Sequence, residues 1–239
     1  VPHEMRYFME HSVIPYLRGK LGIREVIVSR VLKLFGIGES LVDERLKDLI
    51  EEGSNPTIGL LAHTNIGEIH VRLTAKASER VQAEALNAAL ETRIRERLAE
   101  FIFGVDEESY EGVLSSQLRR AGRTIAVAET AFGSSVCQTV KQMEGGAEFF
   151  RLGVTVVSPE MARTLLAVPS ALWQEGDGVN ADLARALAEG VRRIAGVDLG
   201  LGVTGRAGKG KERDHLIYIA LAHAGTTNCI EQRWPSAMG

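Results

Sequence analysis

Cysteine is scarce in this chain: Cys137 and Cys229 are the two among 239 residues. They stand far apart and match neither a disulfide framework nor a thiolate metal site, so buried free thiols are the expected state. Long apolar runs are missing as well. No stretch approaches the roughly 18 uninterrupted apolar residues of a membrane span, and no basic segment followed by an apolar one opens the chain as a signal peptide would. Cytoplasmic residence without a membrane partner is the expectation. Nor is there an excess of positive charge. Lys and Arg number 28 against 31 Asp and Glu, a net charge of −3, so no global field draws the chain to nucleic acid or anionic lipid. The six histidines (His3, His11, His63, His70, His215 and His223) show no ligand spacing, so no metal site is expected. His70 and His223 fall in strand patterns and read as structural. Internal repeats and low-complexity tracts are also absent.

What is present reads as globular. With 45% hydrophobic and 25% charged residues, the chain can bury substantial cores, and its length suits one large domain or two small ones. Position 1 is Val rather than Met, and Met5, Phe8, Met9 and Val13 already follow a helical pattern. Residues 1–22 are therefore read as a short helix, ended by Pro15 or Gly19, belonging to a longer protein. Residues 24–104 read as strand (26–35), helix (with Leu41, Leu46, Leu49 and Ile50 on one face), two strands (57–62 and 68–74) and a long amphipathic helix (78–103). Hairpin chemistry at Thr64-Asn65-Ile66-Gly67 joins the two strands. That is a small α+β domain. The polar stretch 104–109 makes a boundary.

From 110 onward helices alternate with apolar strands: helix 110–121, strand from 124, helix from 136, strand 149–157, helix 161–166, helix 180–195, strands 198–203 and 216–223, and an edge strand 229–234. This pattern predicts a layered α/β domain, a sheet with flanking helices, over 110–239. One stretch organises it, from Thr124 to Ser135. A β-branched apolar run stops at Glu129 and Thr130, passes Gly133 and Ser134, and opens a helix. A strand end meeting a helix N-terminus presents backbone N–H groups to an anion or a polarised carbonyl. Thr130 is the nucleophile candidate there, and hydrolysis would require an activating base and oxyanion donors. Helix capping by Thr130 and Ser134 is an equally sufficient reading. Phe149, Phe150 and Trp173 are core or pocket-wall candidates.

Two glycine motifs lie further on. Gly200-Leu201-Gly202-Val203-Thr204-Gly205 matches G-x-G-x-x-G, but its first two glycines sit inside a strand pattern and a charged loop follows. A dinucleotide fingerprint needs its glycines between strand and helix, so that reading fails. The overlapping stretch ending Gly210-Lys211-Glu212 places Glu212 where a phosphate-binding loop has a magnesium-binding hydroxyl. It nevertheless gathers Arg206, Lys209 and Lys211 beside glycines, which suits phosphate contact as well as a surface loop. Gly36-Ile37-Gly38-Glu39 invites comparison with the glycine loop of nucleic-acid-binding KH folds. Glu39, Asp43 and Glu44 have the wrong sign for a phosphate backbone.

The order of segments resembles the CinA competence/damage-inducible family. Val1-Pro2-His3-Glu4-Met5, Phe35-Gly36-Ile37-Gly38-Glu39-Ser40, Asn55-Pro56-Thr57-Ile58 and Ile102-Phe103-Gly104 are similar to its middle region. Ala128-Glu129-Thr130-Ala131-Phe132-Gly133-Ser134, residues 180–193, and Val203-Thr204-Gly205-Arg206-Ala207-Gly208 are similar to its C-terminal nicotinamide-nucleotide amidase domain. The resemblance implies that a molybdopterin-binding-like domain precedes the chain, with residues 1–18 its last helix. It implies a KH-like unit at 24–104, an amidase fold from about 110, and a final C-terminal helix beyond the chain. The implied reaction is hydrolysis of nicotinamide mononucleotide to nicotinate mononucleotide and ammonia, by a serine with a lysine–tyrosine pair and no cofactor.

This chain departs from that pattern at the catalytic positions. Thr130 stands for the serine, Val157 for the tyrosine and Ala162 for the lysine. Arg163 is adjacent to Ala162 but does not deprotonate near neutral pH. Gly145-Gly146-Ala147 replaces Gly-Ser-Ser, Asn180 a serine, and Lys209 a proline. Ligand binding is assigned by resemblance to Glu129, Gly133, Ser134, Asn180, Thr204, Gly205, Arg206 and Gly208. The expectation is an amidase fold with an eroded catalytic site that retains a nucleotide-like ligand or forms a homo-oligomer. The alternative is an active amidohydrolase in which Thr130 works with Lys209 or Lys211. Nucleic-acid binding by the KH-like unit is the third reading.

Overall fold

The computed structural model describes residues 2–22, 25–63, 67–130, 135–174, 178–206 and 215–234. The chain divides into two compact units, Val1–Tyr110 and Glu111–Gly239.

The first unit opens with helix α1 (Pro2–Phe8), a π-helical turn (Met9–Val13) and helix α2 (Ile14–Leu21). No described side chain of this stretch is buried. There follow β1 (Val26–Phe35), α3 (Glu39–Glu52), β2 (Thr57–His63), β3 (Glu68–Ala77), α4 (Arg80–Leu98), a 3-10 turn (Ala99–Phe101) and β4 (Ile102–Val105). The sheet order is β2-β3-β1-β4 with every neighbouring pair antiparallel. This is the split βαβ arrangement. Period-2 alternation sends Leu32 and Leu34 of β1, and Ile69, Val71 and Leu73 of β3, to one face. There they meet Val42, Leu46 and Leu49 of α3, with Leu90, Ile94 and Leu98 of α4. The helix expected over 78–103 stops at Leu98; a 3-10 turn follows, and Ile102 and Phe103 open the strand that pairs with β1. The link at residues 64–66 lies outside the described residues.

The second unit comprises α5 (Tyr110–Arg120, whose first residue closes unit one), β5 (Ile125–Glu129), α6 (Ser135–Gln142), α7 (Gly146–Phe149), β6 (Phe150–Thr155), α8 (Pro159–Leu166), α9 (Ser170–Gln174), α10 (Ala181–Ala195), β7 (Leu199–Arg206), β8 (His215–His223) and β9 (Thr226–Trp234). The short helices α7 and α9 carry no readable periodicity and the sequence reading passes over them. The sheet runs β6-β5-β7-β8-β9, with β6, β5 and β7 parallel and the remaining pairs antiparallel. β9 is an edge strand, as its sequence position suggests.

β5 is buried along its whole length because helices cover both faces. Ile125 and Val127 pack with Leu118, Val140 and Phe149, while Ala126 and Ala128 pack with Leu166, Leu183 and Leu187. The chain leaves β5 through α6 and α7 to β6 on one side. It returns through α8–α10 to β7 on the other. The C-terminal ends of β5 and β7 thus flank a topological switch point, where open α/β sheets bind their ligands.

The G-x-G-x-x-G glycines have a packing role here. A Cβ added at Gly200 would lie 2.1 Å from Ala188 O, and one at Gly202 would lie 2.1 Å from Ala184 O. These glycines let α10 rest directly on β7.

Candidate functional site

Glu129 ends β5 and is fully buried. Its Oε1 accepts the Cys137 N–H at 3.0 Å and its Oε2 accepts the Val136 N–H at 3.2 Å. The carboxylate is thus placed on the first turn of α6, where otherwise orphaned donors and the helix dipole offset the cost of burying a charge. The same carboxylate reinforces the effect of burial on Cys137, whose thiol is pushed up to about 12, first by desolvation and then by Glu129. Glu129 therefore anchors the first turn of α6.

Thr130 follows directly, and its backbone is held from the β7 side: the Thr130 N–H donates to Val203 O at 3.0 Å. On the β6 side the Val156 N–H donates to Glu129 O at 2.8 Å. The Thr130 hydroxyl donates to Thr204 Oγ1 at 2.9 Å, and the fully buried Thr204 hydroxyl donates onward to Gly178 O at 2.5 Å. Gly178 has φ +74°, a left-handed conformation that glycine adopts without strain. The relay ends on a carbonyl, which cannot take up a proton. Among the described residues, no carboxylate, imidazole or amine is hydrogen-bonded to the Thr130 hydroxyl.

The other expected site residues divide. Val157 is 77% exposed and Ala162 is 1% exposed, with the Ala162 methyl packed in the core formed by α8 and α10. Asn180 caps α10: its Oδ1 accepts the Leu183 N–H at 2.7 Å and its Nδ2 donates to Leu172 O at 2.8 Å. Gly205 and Arg206 continue β7, paired with Ile217 and Leu216. Gly133, Ser134, Gly208, Lys209 and Lys211 lie outside the described residues. The structure thus brings together Glu129, Thr130 and Thr204 at the end of β5 and β7. The Gly178 carbonyl that completes this group was not legible, since nothing in the residue type marks a backbone acceptor.

Two further pairings escaped the sequence reading. Ser158 caps α8, accepting the Met161 N–H at 3.2 Å. His63 and His70, on neighbouring strands, approach at 3.1 Å between Nε2 and Nδ1, and His70 Nε2 lies 3.1 Å from Glu68 Oε2. Among the described residues no group of three or more His, Cys, Asp or Glu could hold a metal ion.

The model described as CinA C-terminal domain matches residues 107–237. The chain belongs to the CinA family. The model described as damage-inducible protein CinA KH domain matches residues 29–104, so the split βαβ unit is the family's KH-like domain. A putative competence-damage inducible protein of Moorella thermoacetica is 37% identical over 228 residues, covering 94% of this chain and 54% of that protein. One from Caldicellulosiruptor bescii is also 37% identical, covering 98% and 57%. A CinA-like protein of Parasynechococcus marenigrum is 35% identical, covering 100% and 57%. This CinA-family chain spans about half the length of the curated relatives it matches. A crystal structure of a CinA superfamily protein from Enterobacter cloacae aligns with a TM-score of 0.46 at 24% identity, covering 52% of this chain and 75% of that one. Among the described residues, no helix is long and apolar enough to cross a membrane.

Proposed function

We propose that the second unit binds a nucleotide-like small molecule of the nicotinamide mononucleotide class at the C-terminal ends of β5 and β7, and that it does not hydrolyse the amide. The observation that supports this reading is the Thr130 relay. A hydroxyl nucleophile needs a base to accept its proton, typically worth a factor of about 10²–10⁴. Here the hydroxyl donates through Thr204 to the Gly178 carbonyl. The position that the resemblance gives to lysine is a buried methyl, and the position it gives to tyrosine is an exposed valine. Among the described residues, β5, α6 and β7 frame this place while the side chains that the resemblance makes catalytic are changed, which suits retention of a ligand more than turnover.

Two measurements test this on the same preparation. Nicotinamide mononucleotide at about 100 times its dissociation constant stabilises the native state by about 2.7 kcal/mol, so the expected result is a thermal midpoint raised by about 5–10 °C. Ammonia release from the same compound is expected to stay at the background rate. Robust release abolished by Thr130→Ala overturns the proposal in favour of the active threonine amidohydrolase. The absence of any thermal shift with nicotinamide or nicotinate mononucleotide overturns the ligand assignment. Assembly as a homo-oligomer belongs to the same reading, and sedimentation of a lone monomer at working concentration would remove it.

A further inference from the structure

β4 covers half of β1. Its register runs from Leu34↔Ile102 to Leu32↔Val105, and Asp106, at φ 49°, then turns the chain away. Asp106 closes the ladder with its own groups: its N–H donates to Val31 O at 2.8 Å, and its Oδ1 accepts the Val31 N–H at 2.9 Å. Both main-chain groups of Val31 therefore point to the β4 side. Strand geometry repeats every second residue, so the N–H and C=O groups of Ser29 and Ile27 point to that side too. Among the described residues no strand pairs with them there. Ile27 is 68% exposed.

The space beside this bare edge is a groove. A cavity of about 300 Å³ is lined by Val28, Ser29 and Arg30 of β1 with Glu84 and Asn87 of α4. A second, of about 450 Å³, adjoins it along the same strand, lined by Val26, Ile27 and Val28 with Ile14 and Leu17 of α2. Asn87 supplies an independent sign of an occupant. It is 3% exposed, its Nδ2 donates to Val28 O at 2.9 Å, and its Oδ1 is buried with no hydrogen-bond partner. A buried acceptor left unpaired loses its hydration without replacement, so it marks a place where a donor is wanted. Each charge lining the groove is already ion-paired: Arg30 with Glu91 at 3.0 Å and with Asp106 at 2.5 Å, Arg80 with Glu84 at 2.7 Å, and, from residues outside the lining, Arg95 with Glu91 at 2.7 Å and Lys76 with Glu25 at 2.6 Å.

We infer that the N-terminal half of β1 is a β-augmentation site, which takes an extended, uncharged peptide segment of another polypeptide running antiparallel to β1 in line with β4. Alternating donors and acceptors on Ile27 and Ser29 match a strand backbone, and affinity in this recognition mode comes from main-chain hydrogen bonds. The incoming strand continues the pairing that β4 begins. One of its N–H groups or polar side chains supplies the donor for Asn87 Oδ1, and an apolar side chain rests against Ile14 and Leu17. Internal neutralisation of the charged side chains leaves no attraction for a strongly charged partner.

Amide hydrogen exchange on the whole chain tests this, with a capped hexapeptide of alternating valine and threonine as the probe. At about ten times the half-saturating concentration, exchange at Ile27 and Ser29 is expected to slow about tenfold. Leu32, which pairs with β3 regardless, serves as the internal reference. Ser29→Pro removes one edge N–H at a position where an edge strand tolerates proline, and is expected to abolish the slowing with the fold retained. Methylation of alternate peptide nitrogens is expected to do the same without altering the protein. No slowing with the unmodified peptide, or slowing that survives both the proline and the methylated peptide, overturns the inference. Slowing that rises with protein concentration in the absence of peptide also overturns it, and assigns the edge to a second copy of this chain.

Discussion

At the residue scale, Glu129 and Thr130 are neighbours with opposite fates. Glu129 keeps a function that needs only geometry and charge: two N–H groups of α6 converge on its carboxylate. The Thr130 hydroxyl donates into a hydrogen-bond chain that ends on a carbonyl. The same geometry predicts an effect on Cys137, whose thiol is raised to about 12 by burial and then by Glu129. In Glu129→Gln the second contribution disappears and the first stays. The Cys137 thiol is therefore expected to titrate lower than in the wild type but still above an ordinary cysteine. The pH dependence of its alkylation, read by mass spectrometry, gives the comparison, and an unchanged profile would remove Glu129 as a cause. Because the thiol is raised from 9.0 in the folded state, its contribution to stability is complete below pH 9.0 and is lost as pH rises toward about 12.

At the scale of elements, the contact between α10 and β7 decides how the second unit is built. Gly200 and Gly202 remove the atoms that would hold helix and strand apart. Gly202→Ala places a Cβ 2.1 Å from Ala184 O, against backbone that cannot swing aside as a side chain would. The expected cost is about 1–3 kcal/mol or more, read as a lower midpoint in urea unfolding. A neutral outcome would mean that the helix slides without penalty. Thr204, two residues beyond Gly202 on the same strand, depends on this seating for its position beneath Thr130. Elements also differ in how openly the sequence announces them. β1 is legible over 26–35 because its alternation is long. β4 is not, because four residues carry no period and only pairing with β1 makes them a strand.

At the scale of the whole molecule, each unit has its own hydrophobic core, and each is tied by one carboxylate held well below its usual range. Hydrogen bonds from Arg97 lower Asp48 to about 2 from 3.8, linking α3 to α4. The Thr124 N–H and hydroxyl, then Arg123, lower Asp198 to about 2 from 3.8, linking the starts of β5 and β7. A folded-state value below the unfolded one means that the stability contributed is complete above 3.8 and is lost as pH falls toward about 2. Both units are thus expected to weaken in the same acid window. Asp48→Asn and Asp198→Asn should each flatten the acid limb of stability against pH, measured by denaturant midpoints. A limb of unchanged slope in both variants would sink the assignment.

The sequence by itself determined the local elements and the family. Long hydrophobic periods and the order of short segments are written in neighbouring positions, and the α/β character of each unit follows from them. The site was legible as a place, residues 128–135, because a strand end and a helix start meet there. Tertiary structure alone decided how its side chains are hydrogen-bonded. Thr130 and Thr204 stand 74 positions apart, and Thr204 and Gly178 stand 26 apart. Only the parallel seating of β5 beside β7, made possible by two small residues under α10, brings their hydroxyls into line. The bare half of β1 is likewise a product of pairing, since an edge exists only when a neighbouring strand stops short. Periodicity is a property of adjacent residues, whereas a hydrogen-bond chain and an unpaired strand edge belong to segments that meet only after folding.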